Sequence, residues 1–228
     1  MYRSEATSPE GFVQQLAVSY LRHGYWFYVA GRVPDRKDPR EVDRKLIERY
    51  EIDLSKYQRA RRRKAGRASV QLLRHGHDFV LLATHGRHRF FDDEASVFRD
   101  ARRSPVKFRG YSIGYRSGRS HVAIAPQRYA ELKAFLVERA AQRRADWLLA
   151  AFRSVPFEPY APVRRQLLNI WRAVNRRRRE AGFESVPIEA VRMRRKQVLP
   201  FGPGEVAASK GQDISPVDTV ERLRCDSR

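Results

Sequence analysis

The chain has 228 residues, 42% of them hydrophobic and 11% aromatic, enough apolar material for one sizeable core or for a core with a small appended domain. It carries 47 lysines and arginines against 26 aspartates and glutamates, a formal charge of +21, and a field of that size draws polyanions, nucleic acid foremost among them. The longest apolar runs, Trp26 to Ala30 and Phe79 to Ala83, fall far short of the roughly 20 residues of a membrane-crossing helix, which excludes an integral membrane protein of that kind.

The polar N-terminus shows no secretion pattern, and the lone Cys225 excludes an internal disulfide or a cysteine-based zinc knuckle, so a cytoplasmic location with no membrane partner is expected. A first helix begins at Ser8, with Pro9 at its first position and Phe12, Val13, Leu16, Ala17 and Tyr20 on one face, and Gly24 stops it. Tyr25 to Val33 is aromatic and β-branched and reads as a strand. Asp38 and Glu41 are spaced as a capping box ahead of Val42, Leu46, Ile47 and Tyr50. A nearly all-polar helix follows from the Ser55 cap to Gly66. Ala68 to Leu73 and Asp78 to Thr84 form a hairpin across a Gly-containing turn, its second strand apolar on both faces and therefore central.

Residues 85 to 105 show no period and are expected to be a loop with one short helical turn. Val106 to Tyr115 and Ser120 to Ala125 read as a second hairpin turning at Arg116 to Arg119, and Pro126 opens a helix bearing Tyr129, Leu132, Phe135 and Leu136. Trp147, Leu148 and Phe152 continue a helical stripe, and Val163, Leu167, Ile170, Trp171 and Val174 define another helix, with Gly182 beyond its end. The order predicts an α+β fold: a mostly antiparallel sheet of about five strands covered by helices, with a basic helical C-terminal extension. The expected division is a core over 1–158, the extension over 159–202 and a disordered tail over 203–228.

The basic residues are 39 arginines and 8 lysines, a bias that suits bidentate phosphate recognition. Arg59, Arg61, Arg62, Arg63 and Lys64 fall on the polar helix. Arg176, Arg177, Arg178 and Arg179 close the last helix, and Arg192, Arg194, Arg195 and Lys196 follow in an extended segment. Tyr111 and Tyr115, flanked by Arg109 and Arg116, are the candidates for stacking on unpaired bases. These features predict a DNA- or RNA-binding protein that engages phosphates through arginine clusters, with a structural component of a ribonucleoprotein as a rival reading.

Four of the histidines, His75, His77, His85 and His88, lie close together in the chain and His121 lies on the last strand, so imidazoles of neighbouring strands could meet at a divalent ion. Asp92, Asp93 and Glu94 add carboxylates. A sheet domain with histidines on an inner strand and a tyrosine on the following helix resembles the HUH-type single-strand endonucleases, which include rolling-circle replication initiators, relaxases and related transposases. The match lies in Arg119-Ser120-His121-Val122 with Tyr129 and Lys133, and Arg119 stands where the family has its first histidine. The resemblance implies a rival function as a DNA nicking endonuclease, with Tyr129 as nucleophile, His121 and Lys133 beside it, and Mg²⁺ or Mn²⁺ held by His121 with His75 and His77. It also implies a role as an accessory or initiator protein of a mobile genetic element.

Overall fold

The computed structural model describes residues 2–195 and 198–202. Lys196 and the expected disordered tail, 203–228, lie outside the described residues. The fold is α+β, but the expected single sheet is two sheets, of four and three strands.

The described residues form two compact units, residues 2–109 with 113–121 and 198–202, and residues 110–112 with 122–195. This differs from the expected core and extension. Most of the expected core's helical end joins the second unit, while 198–202 return to the first, where the Thr7 N–H donates to the Pro200 carbonyl at 3.0 Å.

In the first unit α1 (Pro9–Gln14) is capped by the Ser8 hydroxyl, which accepts from the Gly11 N–H at 3.0 Å. It continues as a π-helical stretch, Gln15–Tyr20, and a 3₁₀ turn, Leu21–His23, and ends at Gly24 with φ 91°. The apolar face read from the sequence is the buried one. Strand β1 (Phe27–Arg32) leads to α2 (Pro39–Arg49), where the Asp38 carboxylate accepts from the Arg40 N–H at 2.9 Å. Next come α3 (Lys56–Lys64), β2 (Val70–His75) and β3 (Asp78–Ala83). Helix α4 (Arg89–Asp93) is the short helical turn expected in the 85–105 loop, and strand β4 (Arg99–Asp100) is an addition to it.

The four-stranded sheet runs β2-β3-β1-β4 and every pairing in it is antiparallel. Leu82 faces Tyr28 on one side and Gln71 on the other, so β3 is interior, as its two-sided apolar run requires. Tyr50, Ile52, Val70, Leu72, Leu81, Ala83 and Phe90 make the core against this sheet. The outer edge of β2 is covered by residues 4–6: the Arg74 N–H donates to the Ser4 carbonyl and the Ala6 N–H to the Arg74 carbonyl, both at 2.7 Å. Arg74 itself is buried, with its Nε 2.9 Å from Asp43 and an Nη 2.9 Å from Glu5.

The expected strand from Val106 to Tyr115 is broken in two. Arg109 (φ 41°) and Gly110 (φ 80°) turn the chain between β5 (Val106–Phe108) and β6 (Tyr111–Arg116). Ser117 and Gly118, also at positive φ, make the turn into β7 (Arg119–Ile124), and the second sheet runs β5-β6-β7.

The second unit is mainly helical: α5 (Pro126–Arg139), α6 (Ala145–Arg153) and α7 (Ala161–Glu180). Val163, Leu167, Ile170 and Val174 form the buried stripe of α7, and Phe135, Leu136, Leu148 and Phe152 are buried on its partners. Polar clamps fix the ends. Gln166 both accepts from the Ile124 N–H at 2.8 Å and donates to its carbonyl at 3.0 Å, and Asn175 does the same for Val186 at 2.8 and 3.0 Å.

Candidate nucleic-acid interface

Helix α3 forms one side of a strongly basic concavity. Its Ser55 cap and Gln58 bond each other's backbone reciprocally, the capping box that polar helices use to start. None of its residues is buried. It is held by polar contacts instead: Arg59 donates to the Leu54 carbonyl, Arg62 pairs with Glu51, and the Arg67 N–H reaches the Arg62 carbonyl at 2.9 Å.

There the chain meets the loop that leaves β3. The Ala68 N–H donates to the Arg87 carbonyl at 3.1 Å and the Arg87 N–H to the Gly66 carbonyl at 3.0 Å, a parallel bridge that sets Arg67 beside Arg87. Gly86, at φ 131°, makes this approach feasible. A Cβ there would stand 2.6 Å from the Ala68 nitrogen and 2.8 Å from the Gly66 oxygen.

Between α3 and this loop lies an open groove of about 980 Å³, lined by Arg61, Arg62, Arg67, Arg87 and Arg89 with His88, and by only two carboxylates, Glu51 and Asp92. Glu51 is engaged by Arg62, whose hydrogen bond and charge hold its carboxyl below the ordinary value. Arg89 shares Asp93 with Arg49, at 3.3 and 3.0 Å. Arg61, Arg67 and Arg87 have no ion-pair partner among the described residues. Burial, and next the Arg62 charge, push His88 below its usual 6.5, and its Nδ1 accepts from the Phe90 N–H at 3.1 Å, so it caps α4 as a neutral ring. Three guanidinium groups without an ion-pair partner thus line one groove, and guanidinium is the side chain best suited to bidentate contact with an anion.

Of the arginines read from the sequence, Arg61 and Arg62 line this groove, while Arg63 and Lys64 are exposed on the same helix and Arg59 is half-buried. Arg109 and Arg116 are exposed at the two turns of the second sheet. In the second unit Arg176, Arg177 and Arg179 are exposed on α7, and Arg165, Arg172, Arg176 and Arg179 recur at helical spacing along one exposed stripe. Arg194 and Arg195 are exposed, the latter with its guanidinium 4.3 Å from the Tyr160 ring centre.

Arg178 is a correction. It is 2% exposed and donates to the carbonyls of Ala140 and Arg143 at 2.7 Å and to that of Glu184, so it stitches α7 to the turns around it and cannot reach a phosphate. Tyr111 is another. Its ring is buried edge-on against Phe157, its hydroxyl accepts from the Glu158 N–H at 2.7 Å, and no face is left for a base. Tyr115 is half-buried and lies 5.4 Å from the Trp26 ring, over which Arg102 sits at 4.5 Å.

The expected metal ligands do not assemble. His75 and His77 flank the Gly76 turn, and their Nδ1 atoms are drawn to different carbonyls, that of Ala6 at 3.0 Å and that of Val33 at 3.1 Å. His121 lies on β7, and among the described residues no three His, Cys, Asp or Glu side chains form a group able to hold a metal. Two carboxylates of the 92–94 run are engaged elsewhere: Glu94 accepts from the Tyr50 hydroxyl at 2.6 Å, and Asp93 holds Arg49 and Arg89, while Asp92 lines the groove. Tyr129 and Lys133 lie one turn apart on α5, half-buried and exposed respectively, and belong to the second unit, whereas the three histidines belong to the first.

Sequence reasoning missed Arg67, Arg87 and Arg89, which lie outside the continuous arginine runs, and Tyr57, 86% exposed one turn before Arg61. The one available signal was the glycine in His85-Gly86-Arg87. Among the described residues no helix is long and apolar enough to cross a membrane. No family model matches the chain, and neither the curated proteins nor the solved structures yield a match.

Proposed function

We propose that the protein binds nucleic acid, holding the phosphates of DNA or RNA in the groove between α3 and the loop after β3. The observation that carries this reading is the set of unpaired guanidinium groups of Arg61, Arg67 and Arg87 on one concave surface. The arginine stripe of α7 supplies a second phosphate-facing surface on the other unit. Binding that works through phosphates displaces condensed counterions, so the logarithm of affinity falls linearly with the logarithm of salt, by about 0.9 per phosphate on a duplex and about 0.7 on a single strand.

The test is a salt titration of oligonucleotide binding by fluorescence anisotropy, with and without chelator. The expected result is a steep salt slope, indifference to chelator, and a slope reduced by about 2 to 3 in the Arg61→Ala, Arg67→Ala, Arg87→Ala triple variant. Affinity that does not change with salt, or a triple variant that binds as the parent does, would overturn the reading.

A further inference from the structure

A second depression adjoins the arginine groove. It measures about 510 Å³, and its walls are Phe27, His85, Phe91 and Phe98, with Gly66 and Gly86 at the crossing of the two chain segments and Arg87 common to both concavities. The three phenylalanines meet edge to face, with centroids 5.3 Å apart for Phe27 and Phe91, 6.1 Å for Phe27 and Phe98, and 5.4 Å for Phe91 and Phe98. None of the three is stacked flat on another. Each is half-buried, in contrast to the neighbouring Phe90, which is 0% exposed in the core.

Aromatic surface beside unpaired guanidinium groups is a mismatch for a surface that meets only water. It is a match for a ligand that is flat and aromatic in one part and anionic in the next. We propose that this depression takes an unpaired nucleobase of the strand whose phosphates lie in the arginine groove, an assignment that rests on the phosphate-binding reading above. Arg87, lining both concavities, stands where it can hold the phosphate next to the stacked base. Arg102, whose guanidinium lies 5.7 Å from the Phe27 ring centre, is ion-paired with Asp100 at 2.7 Å, which leaves Arg87 as the cation lining the depression. A base paired inside a duplex presents no open face to such a wall, so the occupant is a base from a single-stranded stretch.

The experiment compares the full chain's affinity for a short oligothymidylate with that for an abasic deoxyribose-phosphate strand of equal length and charge, at several salt concentrations. The parent protein is expected to prefer the strand with bases by between about fivefold and about a hundredfold, the range that stacking of one base gives. Phe91→Leu, which keeps apolar bulk but removes the aromatic face, should shrink that preference and leave the abasic affinity and the salt slope unchanged. Equal affinity of the parent protein for the two strands, or an undiminished preference in Phe91→Leu, would remove the base pocket and leave the phosphate groove standing. Failure to bind either strand at low salt would remove both.

Discussion

Arg74 and Arg178 are each 2% exposed, and their burial separates two uses of arginine in this chain. Arg74 is matched by the carboxylates of Asp43 and Glu5, while Arg178 donates to three carbonyl oxygens and lies 5.5 Å from the Phe183 ring centre. Replacing Arg178 with methionine keeps an unbranched apolar stem but leaves several carbonyls without a donor, at a cost of about 3 kcal/mol that urea unfolding would measure. Polyanion affinity of the folded fraction should not change. A loss of affinity as large as that of the groove variants would contradict the structural role given to Arg178.

His88 sets a pH dependence of stability. Its folded pKa lies below 6.5, through burial first and the Arg62 charge second, so the unfolded chain binds more of its protons in the window below that value. This contribution is complete above about pH 6.5 and is lost as the pH falls toward the folded value. The urea midpoint should drop between about pH 7 and about pH 5, and His88→Asn, which keeps a capping acceptor, should flatten part of that slope. An unchanged pH profile in the variant would show that His88 does not carry it.

Among the elements, the crossing of Gly86 with Gly66 to Ala68 is the one on which both concavities depend. Gly86→Ala places a Cβ against backbone atoms at positive φ, and the conformation alone costs about 1 to 3 kcal/mol. Thermal unfolding should register that loss, and the salt slope should fall toward that of the triple arginine variant because Arg67 and Arg87 part. A variant with full stability and an unchanged slope would show that the crossing is not needed.

Helices α1, α2, α3 and α7, and the interior place of β3, could be read from caps and periodicity because those signals are local. Strand β4 could not, because it is two polar residues long and exists only through its pairing with Phe27 and Tyr28. Likewise the arginine run on α3 could be seen, but Arg67 and Arg87 become neighbours only when the β2–β3 hairpin between them forms. The burial of Arg178 was within reach of the sequence: it continues the 167, 170, 174 stripe one turn further, and a run of four arginines on a helix cannot all face solvent.

For the molecule as a whole, a formal charge of +21 makes self-repulsion a standing cost to its compact state. That cost falls most heavily on α3, where Arg59 and Arg61 through Lys64 sit within two turns and no side chain is buried to offset it. A helix with no buried side chain opens without disturbing the core, so its amide hydrogens should exchange with solvent far sooner than those of β3. A bound polyanion removes the repulsion and should slow exchange along α3 selectively, leaving β3 as it was. Equal protection of α3 and β3 in the free protein would contradict this. If exchange behaves so, the groove has one firm wall in the free chain, the loop after β3, and one wall that opens until a polyanion is bound.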